Sequence, residues 1–193
     1  MEPDTRTRML RTTAVLLQRQ GYQGTGLNQV VAESGTPKGS MYFHFPGGKE
    51  QLAAEAIELS GQRVVRSMRR DERETALASF DAHVERTMEY LERSNFVDGC
   101  PIATVALEVG PTSDLVGTAC LRAFGAIEDE LVGWLQRDGY APDEARSMAT
   151  LTLAAFEGTL ILAKARRSVQ PLRDLRAALP RMMPPKRRTR ARV

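Results

Sequence analysis

Between Thr36 and Lys49 the chain places Thr36, Lys38, Ser40, Tyr42, His44 and Lys49, with no carboxylate among them. Hydroxyls, ammonium groups, a phenol and an imidazole at such close spacing are donors without a built-in acid. Their natural partner is an anionic surface that also offers hydrogen-bond acceptors, such as the phosphates and base edges of a nucleic acid. The elements that must position them follow from the flanking residues. Leu27, Val30 and Val31 recur at helical spacing, and Gly35 after Ser34 is able to take positive φ and end that helix sharply. Thr36 then reads as an N-cap, Pro37 as the first helical residue, and Lys38, Gly39 and Ser40 as the first turn of a second helix. Gly39 allows close backbone approach. Tyr42 and His44 carry polar tips outward, while Met41, Phe43 and Phe45 supply apolar contacts to neighbouring elements. Pro46, Gly47 and Gly48 break this helix, and Lys49 lands in the first turn of a long one, where it is placed to clamp a phosphate.

In this order the residues resemble the TetR family of bacterial one-component transcriptional regulators. The matching features are Gly21-Tyr22, Thr25, the helix and turn from Val30 to Gly35, the run from Lys38 to Phe45, and Lys49-Glu50-Gln51-Leu52. TGLNQ, the extra glycine in FPGGKEQLAAEAI, DGCPIATVALE at 98–108, Phe156-Glu157-Gly158 and the Pro171–Leu175 ending resemble the LmrA-like branch, repressors of multidrug-efflux operons. Gly26 stands where many members have a Ser or Thr cap, a change worth only a few tenths of a kcal/mol. The resemblance implies an all-α chain of about nine helices, with a three-helix helix-turn-helix DNA-binding domain at 1–62 and a helical ligand-binding and dimerisation domain at 63–180. The DNA contacts it implies are Thr25, Thr36, Pro37, Lys38, Gly39, Ser40, Tyr42, His44 and Lys49.

The remaining chain reads as helices. Met9, Ala14, Val15 and Leu17 make an apolar face over about 4–20, ended by Gly21. A connector follows at 49–70, with Leu52, Ala56 and Leu59. Leu77, Phe80, Val84, Met88 and Leu91 define a helix over 73–94, and Val116, Cys120, Phe124, Ile127, Leu131 and Trp134 another over 113–137. The next helix, 143–167, carries two apolar stripes: Met148, Leu151, Ala155 and Leu162 on one, Leu153, Phe156, Leu160 and Ala163 on the other. One subunit's core does not need both, so a second copy is expected across Met148, Leu151, Ala155, Gly158 and Leu162, joined by Leu172 and Leu175 of the last helix. The alternative is a core wholly within one chain. Two such subunits set two recognition helices one DNA turn apart on a roughly palindromic operator, and the resemblance implies release by a small lipophilic inducer. Phe80, His83, Met88, Cys100, Glu108, Phe124, Trp134, Phe156 and Glu157 are the candidates to meet it. Most of them serve equally well as plain core; Glu108 and Glu157 would be costly in apolar surroundings unless paired or facing a ligand.

Charge separates along the chain. Residues 1–50 carry +2 and residues 181–193 carry +6, leaving −5 between them within an overall +3. DNA contact therefore falls to the amino-terminal region, with PPKRRTRARV reading as a disordered basic tail, solvated or touching phosphates. Two cysteines, Cys100 and Cys120, make no disulfide framework, and the absence of an apolar leader or membrane-length run points to the cytosol. Two histidines, His44 and His83, cannot assemble a metal cluster or a His-based triad, and Gly47-Gly48-Lys49 lacks phosphate-loop spacing. An enzyme is thus disfavoured, and neither cofactor nor metal is expected. The alternative to ligand control is a DNA-binding regulator gated by thiol chemistry at Cys100 or by a protein partner.

Overall fold

The computed structural model describes residues 4–68, 74–109, 112–184 and 186. Among these it holds nine helices: α1 (Thr5–Gly24), α2 (Leu27–Glu33), α3 (Ser40–His44), α4 (Gly48–Ser67), α5 (Ala76–Arg93), α6 (Pro101–Val109), α7 (Asp114–Arg137), α8 (Pro142–Arg166) and α9 (Gln170–Met182). The protein is all-α, with a helix-turn-helix at one end of the sequence and helical bundles after it. Starts and stops follow local chemistry. Asp4 caps α1 by accepting from the Thr7 N–H, which holds its carboxyl below the usual range. Thr75 caps α5 through the Ala78 N–H, Pro142 opens α8, and Gly139 closes the turn after α7 at φ 96°.

Two compact units emerge. One comprises residues 1–63 with 99–125, the other 64–98 with 126–193; the divisions fall inside α4 and α7. The stretch Gly99–Gly125 thus packs with the amino-terminal helices, whereas a simple cut at 62/63 assigns it to the second domain. In the first unit, α1 buries Met9, Leu10, Thr13, Ala14, Leu16 and Leu17, while Val15 lies outside this face at 36% exposure. Helices α4 and α7 approach so closely that a Cβ on Gly61 would stand 2.8 Å from that of Ala123. Leu52, Ala53, Ala56 and Ile57 fill the inner face of α4.

In the second unit, α9 packs on α8 and α5. Leu172, Leu175 and Leu179 are buried there, and Arg176 grips Asp81 with two hydrogen bonds of 2.7 Å. This corrects the expectation that Leu172 and Leu175 face a second copy: they are 0% and 5% exposed within the single chain. A leucine stripe at helical spacing serves either purpose, and here its own subunit takes it.

Two further expectations are corrected. Helix α8 is long and apolar enough, by length and composition, to cross a membrane, although none such was expected. Its stripe of Ala145, Ala149, Thr152, Phe156, Leu160 and Ala163 is nonetheless buried on the chain's own helices, the pattern of a core helix with a second apolar face. The tail does not begin at 181: α9 runs to Met182, and Met183 is buried. Tyr140 donates its hydroxyl to the Pro184 carbonyl at 2.6 Å, and Lys186 pairs with Glu144 at 2.5 Å while lying 4.8 Å from the Tyr140 ring centre. The rest of PPKRRTRARV, residues 185 and 187–193, lies outside the described residues, as do Arg69 and Arg70 at the basic end of the expected connector.

Candidate nucleic-acid interface

Helix α2 ends where Gly35 takes φ 62°, a conformation that favours glycine, and the chain turns into α3. The turn departs from the expected cap. The Thr36 hydroxyl pairs with the Ser34 hydroxyl at 2.8 Å, its N–H bonds the Val31 carbonyl, and both residues are buried. Helix α3 has no side-chain cap bond and the Thr36 hydroxyl is engaged by Ser34, so Thr36 closes the turn and does not cap the next helix. Lys38 and Gly39 form a turn held by Ser40 N–H to Pro37 C=O at 3.0 Å and Met41 N–H to Lys38 C=O, and regular helix begins at Ser40. Pro37, Lys38 and Gly39 are exposed.

Within α3, Met41 and Phe45 point inward, 2% and 0% exposed, while Tyr42 and Phe43 stand out at 66% and 81%. Phe43 therefore does not anchor the helix, as alternate spacing suggested. Residues four apart share a helix face and residues two apart do not, so Met41 and Phe45 hold α3 down and Phe43 joins Tyr42 on the outer surface. His44, half-buried, meets the Phe43 ring edge-on at 5.0 Å. Arg6 lies 5.1 Å from the centre of the Phe45 ring and pairs with Glu55, which accepts from Gln51; Gln51 in turn accepts from the Gly47 N–H at 2.8 Å. This chain of bonds fixes the turn between α3 and α4.

Thr25 is buried, its hydroxyl donating to the Gly21 carbonyl at 2.6 Å. Lys49, half-buried at the start of α4, holds its ammonium 4.4 Å from the centre of the Tyr22 ring. Tyr22 has a role its position in the sequence did not reveal: it carries Lys49. Gln20 bridges the Gly24 carbonyl and Gln29, locking α1 to α2. The outcome is a platform whose outward segment from Pro37 to His44 carries aromatic and basic side chains and no acid of its own. Such a surface has the chemistry to bind phosphates and base edges.

Residues 9–56 match the family model described as "Bacterial regulatory proteins, tetR family", and residues 76–178 match "Transcriptional regulator LmrA/YxaF-like, C-terminal domain". The HTH-type transcriptional regulator YxaF of Bacillus subtilis is 34% identical over 88% of this chain and 90% of its own. The chain belongs to the TetR family. It is accordingly a DNA-binding transcriptional regulator and not an enzyme, of a family of ligand-responsive repressors. The HTH-type transcriptional regulator LmrA of Bacillus subtilis is 31% identical over 93% of this chain and 97% of its own. In fold, the chain is similar to a TetR transcriptional regulator from Legionella pneumophila, with a TM-score of 0.84, 19% identity, and coverage of 94% and 98%.

The effector candidates divide between the two units. In the second unit Phe80, His83 and Phe156 come together, with ring centres 5.8 Å apart for Phe80 and Phe156 and 5.2 Å for His83 and Phe156. Burial first, and the charge of Arg86 second, lower the His83 imidazole to about 4. Thr152, one turn before Phe156 on the same face of α8, is wholly buried, and its hydroxyl finds no partner among the described residues. Sequence reasoning passed over Thr152; the signal available was a lone hydroxyl in an otherwise apolar stripe. Met88 and Trp134 are buried in this unit, Trp134 donating to Glu130 at 2.7 Å, and Glu157 is half-buried on α8.

Cys100, Glu108 and Phe124 lie in the other unit. The Cys100 sulfur accepts from the Ala103 N–H at 3.4 Å in the first turn of α6, and Phe124 is half-buried. Glu108 is exposed and accepts from the Gln23 N–H at 2.8 Å. Glu108 is thus paired with a backbone N–H of its own unit. Cys120 is buried, which pushes its thiol up to about 11.

Proposed function

We propose that the protein is a homodimeric repressor of the LmrA-like branch that holds a roughly palindromic operator and is released by a small lipophilic inducer. The observation that carries the DNA half is the outward presentation of Tyr42 and Phe43 beside the exposed Lys38–Gly39 turn, on a helix anchored by Met41 and Phe45. Lys38, Gly39, Ser40, Tyr42 and His44 read bases and nearby phosphates, and Lys49 clamps one phosphate. Pro37 borders this surface, whereas Thr25 and Thr36 act from below it by fixing the turns. Binding to an operator puts the protein's work in the cytoplasm, beside the chromosome.

Support for the dimer is the second face of α8, where Leu151, Ile161 and Leu162 are 60%, 53% and 44% exposed, with Gly158 exposed and Met148 and Ala155 half-buried on the same side. Apolar side chains in such a row are costly in water, and a second copy across a two-fold axis covers them. The inducer meets the cluster of Phe80, His83 and Phe156. A neutral imidazole donates and accepts one hydrogen bond each without adding charge, which suits an uncharged lipophilic ligand. The domain limits 1–62 for DNA and 63–180 for ligand and dimer belong to this reading, with α6 packed on the former.

The test is operator binding by purified protein after footprinting of its own upstream region. Lys38→Ala and Tyr42→Ala should each weaken operator binding about tenfold or more, the scale of 1–3 kcal/mol for a base contact, with folding and dimerisation unchanged. Wild-type affinity in both variants overturns the assignment of α3.

A further inference from the structure

The geometry points to Glu108 as a positioning residue that ties α6 to the DNA-contact surface through Tyr22 and Lys49. The inference deepens the proposed function and rests on its reading of Lys49 as a phosphate clamp.

The turn at the end of α1 is built around a carboxylate that comes from 85 residues further along the chain. Gly21 breaks the helix at φ 71° and ψ −173° and is buried beneath Glu108, so close that a Cβ there would stand 1.7 Å from one carboxylate oxygen. The other oxygen accepts from the Gln23 N–H at 2.8 Å. The carboxylate thus spans both sides of Tyr22. The turn is closed below by the Thr25 hydroxyl on the Gly21 carbonyl and by the Thr25 N–H on the Tyr22 carbonyl. From this turn the Tyr22 ring lies under the Lys49 ammonium.

Each joint has separate chemistry. A glycine is needed at 21 both for its positive φ and for its missing side chain, and the bond to Gln23 is charge-assisted. The cation over the ring orients Lys49 while leaving the protons turned away from the ring to meet a phosphate oxygen. Glu108 sits at the exposed edge of α6, inside the segment that matches the LmrA/YxaF-like C-terminal model. An exposed hydrogen bond is light, so its loss is able to release the turn, and with it the lysine, without unfolding the head.

The experiment is a double-mutant cycle read by fluorescence anisotropy on a labelled random-sequence duplex over a salt series, with full-length protein and thermal melting as the check on folding. Lys49→Ala should lower the slope of log K against log salt by about one counterion. Glu108→Ala should lower it by the same amount, and the double variant should bind no worse than Lys49→Ala. Glu108→Gln should restore wild-type binding, because its amide oxygen still accepts from the Gln23 N–H. Tyr22→Leu, which leaves the carboxylate bond intact, should copy Lys49→Ala and stands in if Glu108→Ala does not fold. Factors for Glu108→Ala and Lys49→Ala that multiply, or wild-type binding by Glu108→Ala or Tyr22→Leu, overturn the tie and leave the DNA surface standing. Wild-type binding by Lys49→Ala overturns the clamp on which the tie rests.

Discussion

Lowering the pH should cost the protein stability at His83 before most carboxylates begin to protonate. The imidazole lies against Phe80 and Phe156, and burial, aided by Arg86, takes it from its ordinary 6.5 to about 4. A base depressed in the folded state is neutral there while the unfolded chain already takes up its proton. The stability tied to it is complete above pH 6.5 and is lost as the pH falls through about 4. A gap of roughly 2.5 units at about 1.4 kcal/mol each sets a ceiling near 3 kcal/mol, of which about 2 kcal/mol is gone by pH 5. The assay is urea unfolding at fixed protein concentration between pH 7 and pH 5, comparing wild type with His83→Leu. The wild type should lose about 2 kcal/mol more than the variant over that interval. Parallel pH dependences would show that the ring is hydrated and titrates normally, refuting its place among the two phenylalanines.

The facing of α3 can be read from two phenylalanines. Phe45→Ala should destabilise the head by about 3–5 kcal/mol in denaturant unfolding, whereas Phe43→Ala, at an exposed position, should stay within about 0.5 kcal/mol, and the reverse order would invert the helix. On α8, Ile161→Glu puts a charge on the exposed apolar face. Light scattering should show a monomer that keeps its helical circular dichroism and loses operator affinity, whereas a dimer of wild-type stability would send the subunit contact elsewhere.

The parts of the site that were legible in the sequence are those set by local chemistry. Gly35 at φ 62° and the spacing of Leu27, Val30 and Val31 give the first helix and turn of the motif without help from the rest of the chain. The inner and outer faces of α3 were harder, because five residues span little more than one turn and Met41, Phe43 and Phe45 fit an alternating pattern as well as a helical one. Thr36 illustrates competition: a hydroxyl before Pro37 reads as a cap, yet Ser34 two residues earlier captures it. On α9 the leucines were correctly apolar and wrongly assigned, since periodicity reports that a face is buried but not which neighbour buries it. On α8 the two stripes were legible from spacing alone: Phe156, Leu160 and Ala163 are buried, and Leu151 and Leu162 are exposed on the other side.

Glu108 carries the same lesson toward function. From the sequence its carboxylate called for a compensating partner, and a ligand was one candidate. The partner is instead a backbone N–H at Gln23, and such a bond leaves no trace in side-chain spacing because every residue but proline offers one. Its only sequence mark is Gly21, which must be glycine twice over, for its backbone angle and for the oxygen above it. A regulator needs some element outside the reading head to hold the head's geometry, and that hold must be weak enough to be broken by the modest free energy of ligand binding. One exposed carboxylate on a tight turn, two residues from Thr25 and one ring away from Lys49, meets both requirements.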